Sequence, residues 1–395
     1  MVRFAGRVNR VNPSAVREIF KLMADPDIIS FGGGSPAVES FEPAVIREIT
    51  DELLTLRPDA MLQYGTTEGW IPVREAYIEH IARPKGLEFS LDDVVVTTGS
   101  TQGISLSIDA FVNEGDTVLV ESPTFLATLM MFNKVGARVV PVETDEDGMR
   151  TDDLKAKLES TGARFIYTIP TFQNPTGRTL SLSRRREVAR LAAAYDAVVA
   201  EDDPYCDLRY SGEPLPSIKN FDEVGNVILL NSFSKTISPG LRVGTVAASP
   251  EIIKKLVVAK QCSDTHTAIL PQAICAEYLS RGLLPSHLTQ VAPMYKERLD
   301  TMLACIEKEL PEGTDYTRPE GGLFIWLTLP GEPDMNELLR VATQEYKVAF
   351  VPGAPFFVDP SEGRNAFRLN FSGETPERIE EGMRRLGKAF GDCVR

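Results

Sequence analysis

Cysteine and histidine are scarce in this chain of 395 residues, which contains five cysteines and three histidines. The cysteines form no CxxC pair and their number is odd, so the sequence predicts no disulfide framework and favours a reducing, cytoplasmic location. It also has no HExxH motif and no paired His/Cys spacing, which argues against a dedicated metal site.

Positive charge and long apolar runs are lacking as well. Lys and Arg number 42 against 56 Asp and Glu, which gives a formal net charge of −14. Such an acidic balance argues against nucleic acid as a partner. No stretch approaches the roughly 18 apolar residues that a membrane-spanning helix needs, and no apolar run follows the N-terminal arginines as in a secretory signal. We therefore expect small-molecule partners, with neither nucleic acid nor membrane.

Short apolar runs rich in β-branched residues alternate with helical patterns from about residue 90 onward. Strands this apolar are covered on both faces, and their alternation with helices is typical of an α/β fold. The sequence therefore predicts a large domain with a mostly parallel, seven-stranded sheet flanked by helices. The seven predicted strands are at 94–97, 117–120, 138–142, 165–169, 197–200, 227–230 and 243–248.

The pattern changes near residue 285. A long helical pattern at 293–309 is followed by short strand candidates around 321–329 and 366–371. This change predicts a smaller α+β domain, so we expect a large domain at 41–285 and a small C-terminal domain at 286–395.

Polar clusters follow four of the predicted strands at their carboxyl ends, where open α/β sheets bind ligands. Gly99–Gly103 opens a helix and offers backbone N–H groups to an anion. The other three clusters are Asn174–Gly177, Glu201–Tyr205, and Lys235 followed by Arg242. Taken alone, each has an ordinary explanation: a helix cap, a turn, a solvated rim, or a surface lysine.

Together the four clusters suit one kind of ligand, a phosphorylated aldehyde with a cationic ring. A phosphate is bound by N–H groups, hydroxyls and arginine. An aldehyde reacts with an amine, and a lysine placed just past a buried strand can lose its proton and act as that amine. A protonated ring nitrogen pairs with a carboxylate.

Nine motifs occur in an order and spacing that resemble the fold-type I aminotransferases of class I and II, which depend on pyridoxal 5′-phosphate (PLP). The resemblance runs nearly end to end and is greatest to the branch of 2-aminoadipate, kynurenine and archaeal aromatic aminotransferases. The motifs are Asn12–Arg17, Gly32–Pro36, Gln63–Gly65, Thr98–Gln102, Asn174–Gly177, Glu201–Tyr205, Ser232–Lys235 with Arg242, Gly321–Trp326 and Phe367–Arg368.

The resemblance implies a cofactor, PLP, and a role for each residue that holds it. Lys235 would bond the cofactor covalently and move a proton at the substrate α-carbon. Asp202 would pair with the ring nitrogen, and Phe125 would stack on the ring where many relatives have tyrosine. Asn174 and Tyr205 would bind the ring hydroxyl. The phosphate would be held by Ser100, Thr101, Ser232, Ser234, Arg242 and, across a homodimer interface, Tyr64.

The same resemblance implies a ping-pong transfer of an amino group from an L-amino acid to a 2-oxo acid, with 2-oxoglutarate as the expected acceptor. Arg368 would bind the substrate α-carboxylate, and Gly34 and Asn174 would lie against the substrate. The N-terminal segment 1–40 would join the small domain and cover the site. Within it, Arg17 would meet either an acidic substrate side chain or an ordinary salt-bridge partner.

Three alternatives compete with this interpretation. The same fold carries other PLP enzymes such as C–S lyases. Ligand-sensing regulators built on a related domain add an N-terminal DNA-binding domain, whereas about 40 residues precede the first core motifs here. A catalytically inactive relative is disfavoured because Lys235, Asp202, Asn174, Arg242 and Arg368 are all retained.

Overall fold

The structure, a computed structural model, describes residues 2–11 and 27–393. The strands in these ranges are β1 (Ile29–Ser30), β2 (Val94–Thr97), β3 (Thr117–Ser122), β4 (Arg138–Asp145), β5 (Gly148–Met149), β6 (Phe165–Thr168), β7 (Val198–Asp202), β8 (Val227–Ser232), β9 (Gly244–Ala247), β10 (Asp315–Tyr316), β11 (Phe324–Thr328), β12 (Val348–Ala349), β13 (Val351–Pro352) and β14 (Ala366–Asn370).

Helices in the same part of the chain cover the sheets and connect their strands. They are Gly6–Asn9, Pro43–Leu56, Pro58–Leu62, Ile71–Tyr77, Ser100–Phe111, Leu126–Val135, Thr151–Thr161, Leu182–Ala194, Pro250–Ser263, Ile269–Ser280, Leu283–Glu309, Met335–Gln344 and Pro376–Cys393. None of these helices combines the length and apolar character needed to cross a membrane.

The central sheet has the strand order β2-β9-β8-β7-β6-β3-β4-β5. Strands β8, β7, β6, β3 and β4 run parallel, and β9 is antiparallel to both of its neighbours. The predicted α/β fold is confirmed, but the sheet has eight strands rather than seven. The additional strand, β5, pairs antiparallel with β4 after a tight turn, and its two residues are too few to form an apolar run.

Burial of β2 shows why the strands of this sheet are apolar throughout. Val95 packs on one face with Ile104 of the helix Ser100–Phe111. Val94 and Val96 pack on the other face with residues of the helix Ile269–Ser280. Because successive side chains of a strand point to opposite faces, a strand covered on both sides needs apolar residues at every position.

A second, antiparallel sheet has the order β10-β11-β14-β13. Its core includes Phe350, Phe367 and Phe390, whose rings meet edge to face. The predicted α+β character is therefore present.

The long helix begins at Leu283 instead of 293, because it continues through Pro293. A proline more often starts or breaks a helix. Parallel pairing of β1 with β12 attaches residues 29–30 to this part of the molecule. The proposed domain limits stay a prediction.

The sheet topology determines where polar side chains can meet. Since β3, β6, β7 and β8 are parallel and β2 is related to β8 by two antiparallel pairings, all five strands end at the same edge. The segments that follow them therefore lie next to one another.

Candidate active site

A cavity at this edge brings together the residues of all four polar clusters. Ten of the residues assigned from the sequence line it: Ser100, Thr101, Phe125, Asn174, Asp202, Tyr205, Ser232, Ser234, Lys235 and Arg242. Two more assigned residues contact this group: Gly34 is hydrogen-bonded to Lys235, and Arg368 is hydrogen-bonded to Asn174.

Lys235 is held next to the segment that follows β1. Its Nζ donates a hydrogen bond to the carbonyl oxygen of Gly34 at 2.7 Å. Burial lowers the pKa of Lys235 to about 8, helped by the positive charges of Arg242 and Arg368. Because the pKa lies this low, a usable share of the side chain is a neutral amine near neutral pH, and the neutral amine is the nucleophilic form.

Asp202 ends β7 with its carboxylate buried among apolar strands. Its Oδ2 accepts a hydrogen bond from the Tyr167 hydroxyl at 2.8 Å, whereas its buried Oδ1 has no hydrogen-bond partner among the described residues. Burial raises the pKa of Asp202 to about 7. A cationic N–H group beside Oδ1 would supply the missing partner and favour the ionised carboxylate, as a protonated pyridine nitrogen does.

Arg368 comes from β14 of the small sheet and reaches the loop after β6. Its Nη1 donates to Asn174 Oδ1 at 2.8 Å, and its Nη2 donates to the carbonyl oxygen of Gly32 at 2.9 Å. The guanidinium carbon lies 4.2 Å from the ring centre of Phe324 and 5.2 Å from that of Phe356. These contacts set the plane of the guanidinium group.

The charge of Arg368 has no carboxylate partner within the described residues. The side chain is 3% exposed, and burial lowers its pKa to about 10, so it is still protonated at neutral pH. Its Nε also lacks a hydrogen-bond partner in this part of the chain. A buried arginine without an anion is costly, and a carboxylate that binds in the cavity would compensate for the burial of its charge.

Asn174 and Tyr205 lie between Arg368 and the cavity. Tyr205 is buried, and burial raises the pKa of its hydroxyl, which therefore keeps its proton and remains a hydrogen-bond donor. Its ring meets that of Phe324 edge to face. Both residues line the cavity, so an amide group and a hydroxyl group are available to a ligand there.

An anion site forms where the helix Ser100–Phe111 begins. The first N–H groups of a helix have no partner within it, and here they belong to Ser100 and Thr101. A Cβ on Gly244 would lie 2.9 Å from the Ser100 backbone nitrogen, so glycine allows β9 to approach the start of this helix. Arg242 Nη1 donates to Ser234 Oγ at 3.1 Å, and Ser232 Oγ accepts from the Ser234 N–H at 3.2 Å. N–H groups, hydroxyls and a guanidinium group together can bind a phosphate.

Of the described residues assigned from the sequence, Tyr64 is the one that the structure does not bring to this group. Tyr64 is 85% exposed, and its ring meets that of His266 edge to face. Tyr64 is therefore a surface residue in the single chain. Arg17 lies outside the described residues, as does the motif Asn12–Arg17, so the prediction for it is untested.

The sequence did not identify two buried side chains that hold the site. The Tyr167 hydroxyl donates a hydrogen bond to Asp202, as described above. Glu121 accepts hydrogen bonds from the Ile169 N–H at 3.0 Å, from Thr168 Oγ1 and from Gln173 Nε2. Gln173 Nε2 also donates to the carbonyl oxygen of Pro123 at 2.7 Å. This network joins the loop that carries Phe125 to the loop that carries Asn174. Its only signal in the sequence was a glutamate at the end of an apolar strand.

Known proteins match the chain over nearly its whole length. Residues 26–386 match the family described as aminotransferase class I and II. The aromatic-amino-acid aminotransferase 1 of Thermococcus litoralis is 41% identical, over 98% of this chain and 94% of that protein.

Solved structures agree with this match. The kynurenine aminotransferase of Pyrococcus horikoshii, solved with PMP, superposes with a TM-score of 0.94 at 39% identity, covering 99% of this chain and 98% of that one. The α-aminoadipate aminotransferase of Thermus thermophilus, solved with N-(5′-phosphopyridoxyl)-L-leucine, has a TM-score of 0.91 at 37% identity, with 99% and 98% coverage.

The fold, the site and these matches define the class of the protein: the chain belongs to the class I and II aminotransferases. It is a PLP-dependent aminotransferase of fold type I, from the branch that the sequence motifs indicated. Three features of the site fit this cofactor: Asp202 Oδ1, which has no hydrogen-bond partner among the described residues, the neutral share of Lys235, and the polar groups that line the cavity near Ser100.

Proposed function

We propose that the enzyme transfers the amino group of aromatic L-amino acids and of 2-aminoadipate to 2-oxoglutarate. The observation that carries the proposal is the buried, protonated Arg368 with no carboxylate partner in the described part of the chain. Both substrates of such a transfer have an α-carboxylate that this guanidinium group can bind through two parallel hydrogen bonds. The rings of Phe324 and Phe356 pack against this guanidinium group and help to fix its orientation.

The relatives support this choice of substrates. They include an aromatic-amino-acid aminotransferase, a kynurenine aminotransferase and an α-aminoadipate aminotransferase. A single site that accepts both apolar and acidic side chains would account for this range, and Arg17 is the residue that we propose to meet the acidic ones.

PLP, when bound, supplies an aldehyde that condenses with amines and a protonated ring that accepts an electron pair. The residues of the chain divide the remaining work. We propose that Lys235 bonds the cofactor and later moves the proton of the substrate α-carbon as a neutral amine. Asn174 orients Arg368, which would hold the α-carboxylate. Gly34, whose carbonyl oxygen accepts a hydrogen bond from Lys235, would lie against the substrate.

The remaining residues bind the cofactor in this proposal. Asp202 would pair with the ring nitrogen, Phe125 would stack on the ring, and Asn174 and Tyr205 would bind its hydroxyl oxygen. The phosphate would be bound by Ser100, Thr101, Ser232, Ser234 and Arg242, and by Tyr64 of a second copy.

A half-reaction tests the proposed activity. The holoenzyme mixed with an aromatic donor or 2-aminoadipate alone is expected to form one 2-oxo acid per site and to convert its cofactor fully to the pyridoxamine form, followed by absorbance. Addition of 2-oxoglutarate should reverse the change. Release of pyruvate or ammonia with an unchanged cofactor spectrum would instead indicate a lyase.

The variant Arg17→Ala tests the proposed choice of donor. If its activity with a panel of amino donors equals that of the wild type, Arg17 does not select the donor side chain.

We further propose a homodimer with shared active sites, supported by the exposure of Tyr64 and of the nearby apolar residues Leu62 and Ile71. Mixed dimers test this arrangement. Tyr64→Ala and Lys235→Ala chains are each expected to be nearly inactive at limiting PLP. When co-expressed, they should regain about half of the wild-type activity per mixed dimer, because one of its two sites then has both residues. If each chain used its own Tyr64, mixing would restore nothing.

Two further proposals concern location and domains. The odd number of cysteines and the lack of a CxxC pair favour a cytoplasmic enzyme, which fractionation of cells would test. The separate core around Phe350 and Phe367 favours a small domain at 286–395, joined by the segment 1–40 through β1. Limited proteolysis that cut within 41–285 and not near residue 285 would contradict these limits.

A further inference from the structure

Tyr167 occupies a position from which it reaches Asp202 across two neighbouring strands. In the parallel pairing of β6 with β7, Tyr167 is opposite Ala200. Ala200 and Asp202 point to the same face because side chains alternate along a strand. Tyr167 is therefore beside Ala200, the residue that precedes Asp202 on that face of the sheet. Its side chain is long enough to reach Asp202, and the hydroxyl oxygen lies 2.8 Å from Oδ2.

This contact leaves the two carboxylate oxygens of Asp202 unequal. Oδ2 is occupied by the Tyr167 hydroxyl, whereas Oδ1 is buried without a hydrogen-bond partner among the described residues. Asp202 lines the cavity and Tyr167 does not. The tyrosine is thus positioned behind the carboxylate, and Oδ1 is the oxygen that remains available to a ligand.

The hydroxyl is a dependable donor in this position. Tyr167 is fully buried, and burial together with the charge of Asp202 raises the pKa of its phenol, so it stays protonated. Its hydrogen bond opposes the effect of burial on Asp202, because it stabilises the ionised form of the carboxylate. Loss of the hydroxyl would leave a buried carboxylate with neither oxygen paired until a ligand arrived.

We propose that Tyr167 is a positioning residue for the cofactor, which fixes the Asp202 side chain and keeps it ionised so that Oδ1 can pair with a protonated ring nitrogen. The proposal rests on the role proposed above for Asp202. Tyr167 acts through Asp202 alone, so its contribution exists only for a ligand whose ring carries a basic nitrogen.

Two ligands that differ at one atom test this inference. The first is pyridoxamine 5′-phosphate, and the second is its carbocyclic analogue, in which a C–H group replaces the ring nitrogen. Both are titrated into the full-length protein freed of PLP. Tyr167→Phe, which removes only the hydroxyl, is expected to weaken pyridoxamine phosphate about tenfold, the size of one hydrogen bond to a charged group. Binding of the analogue should change by less than about twofold.

Tyr77→Phe is the matched control. Tyr77 is also fully buried, and its hydroxyl donates to Asn231 Oδ1 at 2.7 Å on the other face of the sheet. Its removal should leave the ratio of the two affinities unchanged. Tyr167→Met serves as a second variant without the hydroxyl, with the same expected loss of preference, because methionine adapts to irregular core space.

Asp202→Asn separates failure of this inference from failure of the proposed role of Asp202. If Asp202→Asn weakens only pyridoxamine phosphate, the role of Asp202 is supported, and Tyr167→Phe added to Asp202→Asn should then cause no further selective loss. An effect of Tyr167→Phe that is absent, or equal for both ligands, would overturn the inference about Tyr167. Equal affinities of Asp202→Asn and wild type for pyridoxamine phosphate would overturn both.

Discussion

Replacement of Lys235 by alanine is expected to lower kcat for amino transfer by at least about 10⁴-fold, the upper range of a general acid–base contribution. Among the described residues, Lys235 is the one lysine that lines the cavity, and burial brings its pKa to about 8. Its removal would eliminate the amine that we propose to bond the cofactor and to move the α-proton. The measurement is the rate of the half-reaction with an aromatic donor, under single-turnover conditions.

Retention of the cofactor distinguishes a chemical role of Lys235 from a structural one. The Lys235→Ala protein should still bind pyridoxamine 5′-phosphate, because the proposed phosphate site at Ser100 and Arg242 is left intact. A small primary amine added to the solution can enter the space left by the side chain and should restore part of the rate. A variant that loses less than about tenfold in kcat would show that another group moves the proton.

Replacement of Arg368 by alanine is expected to lower kcat/KM for amino acids by roughly 10²- to 10³-fold. This range corresponds to about 3–4 kcal/mol, the lower part of the cost that is typical of breaking a buried ion pair. The side chain is buried, and Asn174 and the Gly32 carbonyl orient its guanidinium group. Arg368→Lys should fall between alanine and wild type, since it keeps the charge but cannot make two parallel hydrogen bonds.

An amine without the α-carboxylate serves as the control substrate for Arg368. Its slow half-reaction should be equally fast in wild type and Arg368→Ala, because the lost contact does not exist for it. Affinity for pyridoxamine phosphate should also be unchanged. Equal losses for the amino acid and for the amine would mean that Arg368 supports the fold of the site and does not bind the carboxylate.

The sequence was sufficient to predict the main parts of the site because they follow apolar strands. Buried parallel strands give continuous apolar runs, and the polar residues after them must meet at one edge of the sheet. Lys235, Asp202, Asn174 and Ser100 could be placed together for this reason. Arg368 could not be placed by this argument, because it comes from the small sheet, and only the resemblance to a family suggested it.

Side chains that act from behind the site could not be predicted in the same way. Tyr167 and Glu121 lie within apolar strands, and their partners depend on strand register and on which face each residue occupies. Tyrosine in a strand is ordinarily a packing residue. The two-residue strand β5 and the continuation of a helix through Pro293 likewise depend on tertiary contacts.

Reductive trapping of the cofactor tests the central claim most directly. The holoenzyme is treated with borohydride, digested and analysed by mass spectrometry. The account predicts that one peptide, containing Ser232–Lys235, gains the mass of one reduced cofactor on Lys235, and that prior addition of an amino donor prevents this labelling. Labelling of a different lysine, such as the buried Lys260, or no covalent labelling of an enzyme that is fully active, would contradict it.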